Sequence, residues 1–158
     1  MQDNDISIRK RALDLMYWTC DKGNSREVVS QLLKYLMHAA YDLREELVLK
    51  IAILAEKFAV NLRWYLDVIL RLITVAGDHI SDDIWHRACQ IVTNNDELQE
   101  YAATTCFKFL SSATVHENGI KVGAYILGEF GHRISDEEVT GQRLFEVLKE
   151  KFRVADNS

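Results

Sequence analysis

The sequence predicts an all-α protein, and three observations support that prediction. The chain of 158 residues contains no proline, the residue that most often interrupts a helix. Hydrophobic residues make up 48% of it, and they recur with the spacing of amphipathic helices. Residues that favour helix N-termini precede most of these segments. Together these signals place about eight helices along the chain.

Residues 43–59 carry the clearest helical pattern. On a helical projection, eight apolar side chains share an arc of about 180°, whereas a surface helix needs only about 100°. They are Leu47, Val48, Ile51, Ala52, Leu54, Ala55, Phe58 and Ala59. Leu49 and Ile53 fall on the polar side, and Asp42 with Glu45 has the spacing of a capping box. The wide arc predicts a helix with neighbours on more than one side.

Two helices are predicted before this segment. The first covers residues 6–20, and we expect one side of it to carry Ile8, Ala12, Leu15, Met16 and Thr19. Gly23 is expected to end the intervening turn in the left-handed conformation. Asn24 and Glu27 form a second capping box that opens a helix over residues 25–38. Its inner face is expected to carry Val28, Leu32, Tyr35 and Leu36.

Five further helices follow the central one, over residues 62–76, 82–93, 97–111, 117–130 and 135–152. Asn61 and Ser81 are expected to cap two of them, and Ser135 with Glu138 opens the last. Alternate caps lie ~34–40 residues apart, close to the ~40–47-residue period of armadillo and HEAT repeats. The sequence therefore predicts an α-α superhelix, an armadillo/HEAT-like solenoid, with a compact helical bundle as the rival architecture.

Composition excludes several classes of protein. A net charge of −5 disfavours a general nucleic-acid binder, which needs a basic face. No apolar run reaches the ~18 residues of a membrane span, and the N-terminus lacks the apolar segment of a signal peptide. Cys20, Cys89 and Cys106 are odd in number and far apart, as expected in a reducing compartment. We therefore expect an intracellular protein.

The residue pattern predicts no catalytic, cofactor-binding or metal-binding residues. His116 and Glu117 begin like a HExxH zinc motif, but Ile120 stands where the second histidine would be. His79 and His86 are seven residues apart and have no third ligand nearby. The three cysteines form no CxxC pair and are expected to be small core residues.

Glycines, tryptophans and basic groups also favour structural roles. The glycines at positions 119, 123, 128 and 131 precede no GK[ST] motif, so close helix packing and a helix stop explain them better than a phosphate loop. Trp18, Trp64 and Trp85 lie in apolar helical periods and are expected to pack in the core or between helices. The basic groups at residues 9–11 and 149–153 are read as solvated faces.

Four stretches carry a resemblance to a known family. They are IRKRALDLMYWTCDKGNSREVV, REELVLKIAILAEKFAV, WYLDVILRLITVAGDHISDDIW and HENGIKVGAYILGEFG. Together they resemble the central trunk of the alpha-adaptins, the alpha subunits of the endocytic clathrin adaptor complex, adaptor protein complex 2. The resemblance extends over about residues 6–134, and its motifs are packing patterns rather than site motifs.

The resemblance implies that residues 1–158 are a fragment of the adaptin N-terminal trunk solenoid. It implies a structural and protein-interaction role in clathrin-mediated endocytosis and vesicle transport, at plasma-membrane clathrin-coated pits in the cytoplasm. Implied partners are the beta, mu and sigma subunits, with clathrin and cargo bound through the full complex. Membrane phosphoinositides are expected to bind parts outside this chain, and no family site residue matches a position here.

Two alternatives to this function remain open at this point. One is the equivalent trunk segment of the gamma-type subunit of the Golgi and endosomal clathrin adaptor. The other is a helical-repeat transport scaffold unrelated to coats. An enzyme is disfavoured because no nucleophile, base or metal set converges in the sequence.

Overall fold

The computed structural model describes residues 6–59, 61–111, 116–134 and 141–156. Of these residues 87% are helical and none forms a strand, so the all-α prediction is confirmed. The described α-helices are α1 (Ile6–Thr19), α2 (Ser25–Leu36), α3 (Tyr41–Phe58), α4 (Leu62–Ala76), α5 (Asp82–Thr93), α6 (Asp96–Leu110), α7 (Glu117–Phe130) and α8 (Gly141–Asp156). Short 3₁₀ turns, Gly77–His79 and Gly131–Arg133, follow α4 and α7.

The helices lie in two layers. In one layer α1 packs on α3 and α5 on α7; in the other α2 packs on α4, α4 on α6 and α6 on α8. Most remaining contacts join helices adjacent in the chain, and one core cluster of buried side chains runs through the described helices from α1 to α7. This is the repeating arrangement of a solenoid. The predicted α-α superhelix is therefore confirmed.

The central helix α3 is buried as the sequence predicts. Most of the predicted arc is fully buried, and Phe58 and Ala59 pack against the core. Leu49 and Ile53 on the opposite side are 50% and 39% exposed. The predicted capping box is wrong, because the helix begins at Tyr41 and Asp42 lies within its first turn. There its carboxylate can still interact with the helix dipole.

The turn between α1 and α2 differs from the prediction. The Asn24 side chain does not cap α2; its Oδ1 accepts from the Asp21 N–H at 2.7 Å, and its Nδ2 donates to the Thr19 carbonyl at 3.0 Å. The Asp21 carboxylate accepts from the Gly23 N–H, also at 2.7 Å. Gly23 has no positive φ, so the left-handed prediction is wrong. The side chains of the turn close it without a left-handed residue.

Other predicted helix starts are confirmed. The Asn61 side chain accepts from the Arg63 N–H at 2.8 Å and caps α4, whose bounds match the predicted residues 62–76. Ser81 stands at the N-cap of α5, although its side chain makes no capping bond. Ser135 and Glu138 lie outside the described residues, so their predicted capping box is untested.

The side of α1 that the sequence predicts as apolar is only partly covered: Ala12 and Met16 are half-buried, and Met16 packs against the core. Ile8 and Leu15 are 47% and 66% exposed, and Thr19 is exposed as well. Trp18 is 77% exposed, so the prediction that it packs in the core is wrong. The buried positions are Leu13 and Cys20 instead. The apolar residues of α1 point to several sides of the helix, so their periodicity does not show which side packs on α3.

Candidate functional site

The three thiols lie in the core, as predicted. Cys20, Cys89 and Cys106 are buried and unpaired. Burial raises the pKa of Cys89 to about 11, and burial together with the nearby Cys89 raises the pKa of Cys106 to about 12. A thiol must lose its proton to act as a nucleophile. At neutral pH these two thiols therefore remain protonated.

The histidines are separated in the fold. The His79 ring meets the edge of Tyr41 with centroids 4.9 Å apart, and the His86 ring lies 3.9 Å from that of Trp85. His116 is the N-cap of α7. Over the described ranges, no three His, Cys, Asp or Glu side chains converge as metal ligands.

His116 belongs to a polar junction that joins the turn after α4 to the start of α7. Its Nδ1 accepts from the Asn118 N–H at 3.1 Å, so Nε2 carries the proton and can donate to Asp78 Oδ1, 2.8 Å away. Asn118 Nδ2 donates to the carbonyls of Gly77 at 3.0 Å and Ile80 at 3.4 Å. We call residues 77–80 with His116 and Asn118 the 77–118 junction.

Close approach at Gly77 completes this junction. A Cβ built at Gly77 would lie 2.6 Å from His116 Nδ1 and 2.7 Å from its Cδ2, so a larger residue would displace the ring. The hydrogen bond from His116 is the main cause that holds the pKa of Asp78 below its usual range. Sequence reasoning missed this junction, because its halves are about forty residues apart and each half is unremarkable by itself.

Predicted packing positions elsewhere are confirmed at Gly123, Trp64 and Trp85 but not at Gly128. A Cβ at Gly123 would lie 2.6 Å from the Leu110 side chain, which confirms close packing of α6 on α7. Gly128 has open space instead, so packing does not require a glycine there. Trp64 and Trp85 are partly buried against the core, as predicted.

Ion pairs tie together the layer of odd-numbered helices. Arg87 of α5 donates to Glu56 of α3 through Nε at 2.7 Å, with Nη2 2.6 Å from the same carboxylate. Lys50 of α3 pairs with Glu46 at 3.1 Å and with Asp14 of α1. Burial opposes the Lys50 charge, but the two carboxylates outweigh it and raise the Lys50 pKa.

The surface of that layer has two clefts. One, of about 320 Å³, lies between α3 and α5 and contains Leu49 and Ile53. The other, of about 590 Å³, lies along α5 and reaches Tyr125 of α7. The predicted basic groups lie on α1 and α8 and form no shared patch with these clefts. None of the described helices has the length and apolar character needed to cross a bilayer.

Together, these features define the chain as a helical-repeat protein, because its described helices stack in two layers on one continuous core. The family model for the adaptin N-terminal region matches residues 1–157. This chain therefore belongs to the adaptin family.

The relatives agree with that assignment. The chain is 57% identical over 153 residues to the AP-2 complex subunit alpha-2 of Dictyostelium discoideum, and 53% over 152 to the AP-2 complex subunit alpha-1 of Arabidopsis thaliana. Both alignments cover 96% of the chain but only 16% and 15% of the relative. The AP-1 complex subunit gamma of D. discoideum is 37% identical over 83% of the chain, and 15% of that relative is covered. The resemblance to alpha subunits is confirmed, and the gamma alternative has weaker support.

Proposed function

We propose that this chain is a trunk segment of a clathrin adaptor large subunit of the alpha type. It acts in clathrin-mediated endocytosis as a scaffold rather than as an enzyme. The observation that carries the proposal is a likeness to alpha subunits along 96% of a chain whose core runs from helix to helix. Such a core fixes the shape of the solenoid, because each repeat packs against its neighbours.

In this proposal the intact subunit assembles with subunits of the beta, mu and sigma types. It works in the cytoplasm, peripherally on plasma-membrane clathrin-coated pits. Clathrin and cargo are bound through the full complex, and phosphoinositides through parts outside this chain. No cofactor or nucleic acid takes part. The likeness to AP-2 complex subunits supports the assembly, and the net charge of −5 disfavours nucleic acid.

The test disrupts the core of the segment inside the full-length subunit. Ile51 of α3 is completely buried. Ile51→Asp would bury a carboxylate among apolar side chains, at a cost of several kcal/mol out of a domain stability of about 5–15 kcal/mol. We expect the variant to lose co-precipitation of the other adaptor subunits and to abolish transferrin uptake in cells depleted of the native subunit.

Matched surface changes control for the substitution itself. His79→Gln and Leu49→Asp alter a ring in the 3₁₀ turn and a half-exposed residue of α3, and both should assemble and restore uptake. A histidine variant that assembles and melts normally but blocks uptake would contradict the scaffold proposal. Rescue of Golgi sorting instead of endocytosis would favour the gamma alternative.

A further inference from the structure

The outer surface of the even-numbered helices carries three adjoining depressions. The first, about 510 Å³, lies at the start of α2, α4 and α6; the second, about 240 Å³, between α2 and α4; the third, about 640 Å³, between α4 and α6. Arg26 lines the first and second, whereas Asp67 and Arg71 line the second and third. Shared lining residues make them one continuous groove, which we call the α2–α6 groove.

Apolar side chains form part of its lining. Trp64 and Leu33 lie in the section between α2 and α4, and Trp64 is only partly buried there. Met37, which is 54% exposed, and the partly buried Phe109 lie in the section between α4 and α6. These exposed apolar areas could bury the side chains of a partner.

Cationic side chains line the same groove. Arg26, Arg63, Arg71 and Lys108 are all exposed along it. Arg63 lies over the Tyr101 ring, 4.9 Å from its centroid. Within the part of the chain that the structure describes, the side chains of Arg26, Arg71 and Lys108 make no ion pair or hydrogen bond.

Few carboxylates oppose these cations. Only Asp67 and Glu97 line the groove among the described acids. The Asp67 carboxylate already accepts a hydrogen bond from the Tyr101 hydroxyl, which lies 2.8 and 2.9 Å from its two oxygens. The groove is therefore locally positive on a chain whose net charge is −5.

The clefts of the odd-numbered layer lack this excess of positive charge. Between α3 and α5 the arginine, Arg87, is paired with Glu56, and Asp83 adds a further negative charge. A flat anionic bilayer fits the groove poorly, because so extended a surface also faces the acidic remainder of a chain whose net charge is −5. A short segment meets the groove alone, since charges more than about 8 Å away are largely screened. Unpaired cations beside an apolar floor suit a protein segment that carries both carboxylates and apolar side chains.

We infer that the α2–α6 groove binds an acidic segment of a partner protein. Its carboxylates meet Arg26, Arg71 and Lys108, while its apolar side chains cover Trp64 and Met37. This inference goes beyond the proposed function and does not depend on it, since it concerns one surface of the chain itself.

The test measures binding of a fluorescein-labelled short peptide, in which glutamate alternates with leucine and phenylalanine, by fluorescence anisotropy. Arg71→Glu and Arg26→Glu should each weaken its affinity for the 158-residue chain by about tenfold, since each reverses a charge that faces the peptide. The matched control is Arg11→Glu, an exposed arginine on α1 of the other layer. It should change the affinity by less than about twofold, because distant surface charges are screened.

Further probes separate the possible outcomes. The same peptide with glutamine in place of glutamate should lose most of its affinity, and a benzophenone-labelled peptide should crosslink to α2 and α4. Far-UV melting curves should show that the variants remain folded. Absence of binding, an equal loss with Arg11→Glu, or full binding of the glutamine peptide would overturn the inference. So would Arg71-dependent binding to phosphatidylcholine–phosphatidylserine vesicles without peptide binding.

Discussion

Helices α3 and α1 both carry many apolar residues, yet the structure treats them differently. Most of the apolar arc of α3 is covered by α1, α2 and α4, and Leu47, Val48 and Ile51 are completely buried. On α1 the buried positions face α3, whereas Leu15 and Trp18 on the outer side remain 66% and 77% exposed. Apolar side chains are therefore largely buried on α3 and partly exposed on α1.

The difference shows that burial in a solenoid depends on neighbours more than on pattern. Each repeat contacts only the repeats beside it, so α3 is enclosed by described helices on several sides, whereas α1 packs mainly on α3 among them. The last described helix, α8, repeats the behaviour of α1: Phe145 and Phe152 are 65% and 47% exposed. The apolar pattern alone therefore identifies a helix, and the surrounding helices decide which side of it is core.

The strongest test of this comparison pairs two truncations. Ile51→Ala should destabilise the chain by about 2–5 kcal/mol, because it leaves a cavity in an enclosed site. Leu15→Ala removes an apolar side chain that is 66% exposed and should change stability by only about 0.5 kcal/mol or less. Urea denaturation followed by far-UV circular dichroism measures both changes.

A large loss of stability in Leu15→Ala would break the comparison. It would mean that the outer side of α1 is covered in solution, for example by a second copy of the chain. Sedimentation equilibrium on the wild type distinguishes that case, because self-association would make the loss depend on protein concentration.

Sequence reasoning succeeded where the determining contacts are local. Asn61 caps α4 through an N–H two residues away, and the predicted bounds of α4 and α7 match the structure. It failed at Asn24 and Asp42, whose neighbours offered equally local alternatives: a turn closed by Asp21, and a helix that begins at Tyr41. The spacing of a capping box shows which hydrogen bond a side chain can make, and competing hydrogen bonds decide whether it forms.

The candidate surfaces could not be predicted from the sequence for a different reason. The 77–118 junction and the α2–α6 groove each bring together residues from helices that are distant in the chain. In the sequence His116 shows only the start of an incomplete HExxH motif, since Gly77 and Asp78 become its neighbours only in the fold. Without repeat geometry, neither surface has a local signal.

The second prediction concerns close packing in the middle of the solenoid. Gly77→Ala should destabilise the chain by about 1–3 kcal/mol, because the added methyl group overlaps the His116 ring. The backbone at Gly77 is right-handed helical, so conformational strain does not contribute. Gly128→Ala is the matched control: its methyl group meets open space, and the change should be neutral or stabilising by up to about 1 kcal/mol. Thermal unfolding measures both variants.

A double mutant tests whether the His116 ring causes the destabilisation by Gly77→Ala. His116→Ala loses the α7 cap and should itself be destabilising by about 1 kcal/mol. Adding Gly77→Ala to it should cost much less than in the wild type, since the obstructing ring is gone. Additive losses would show that the methyl group is accommodated in another way.

The smallest effect is expected from Asp78, at the exposed edge of the same junction. Its pKa is lowered by His116, so ionised Asp78 stabilises the fold above its unfolded pKa of about 3.9. This contribution is lost as the pH falls through the lower folded pKa, because both states are then protonated. The carboxylate side chain is 89% exposed, and solvent screening keeps the effect small. Melting curves of the wild type and Asp78→Asn should therefore differ slightly at about pH 5 and converge in stronger acid.

An NMR titration provides the sharper measurement. His116→Gln should return the pKa of Asp78 towards its ordinary value. An unchanged titration would show that the hydrogen bond is not held in solution.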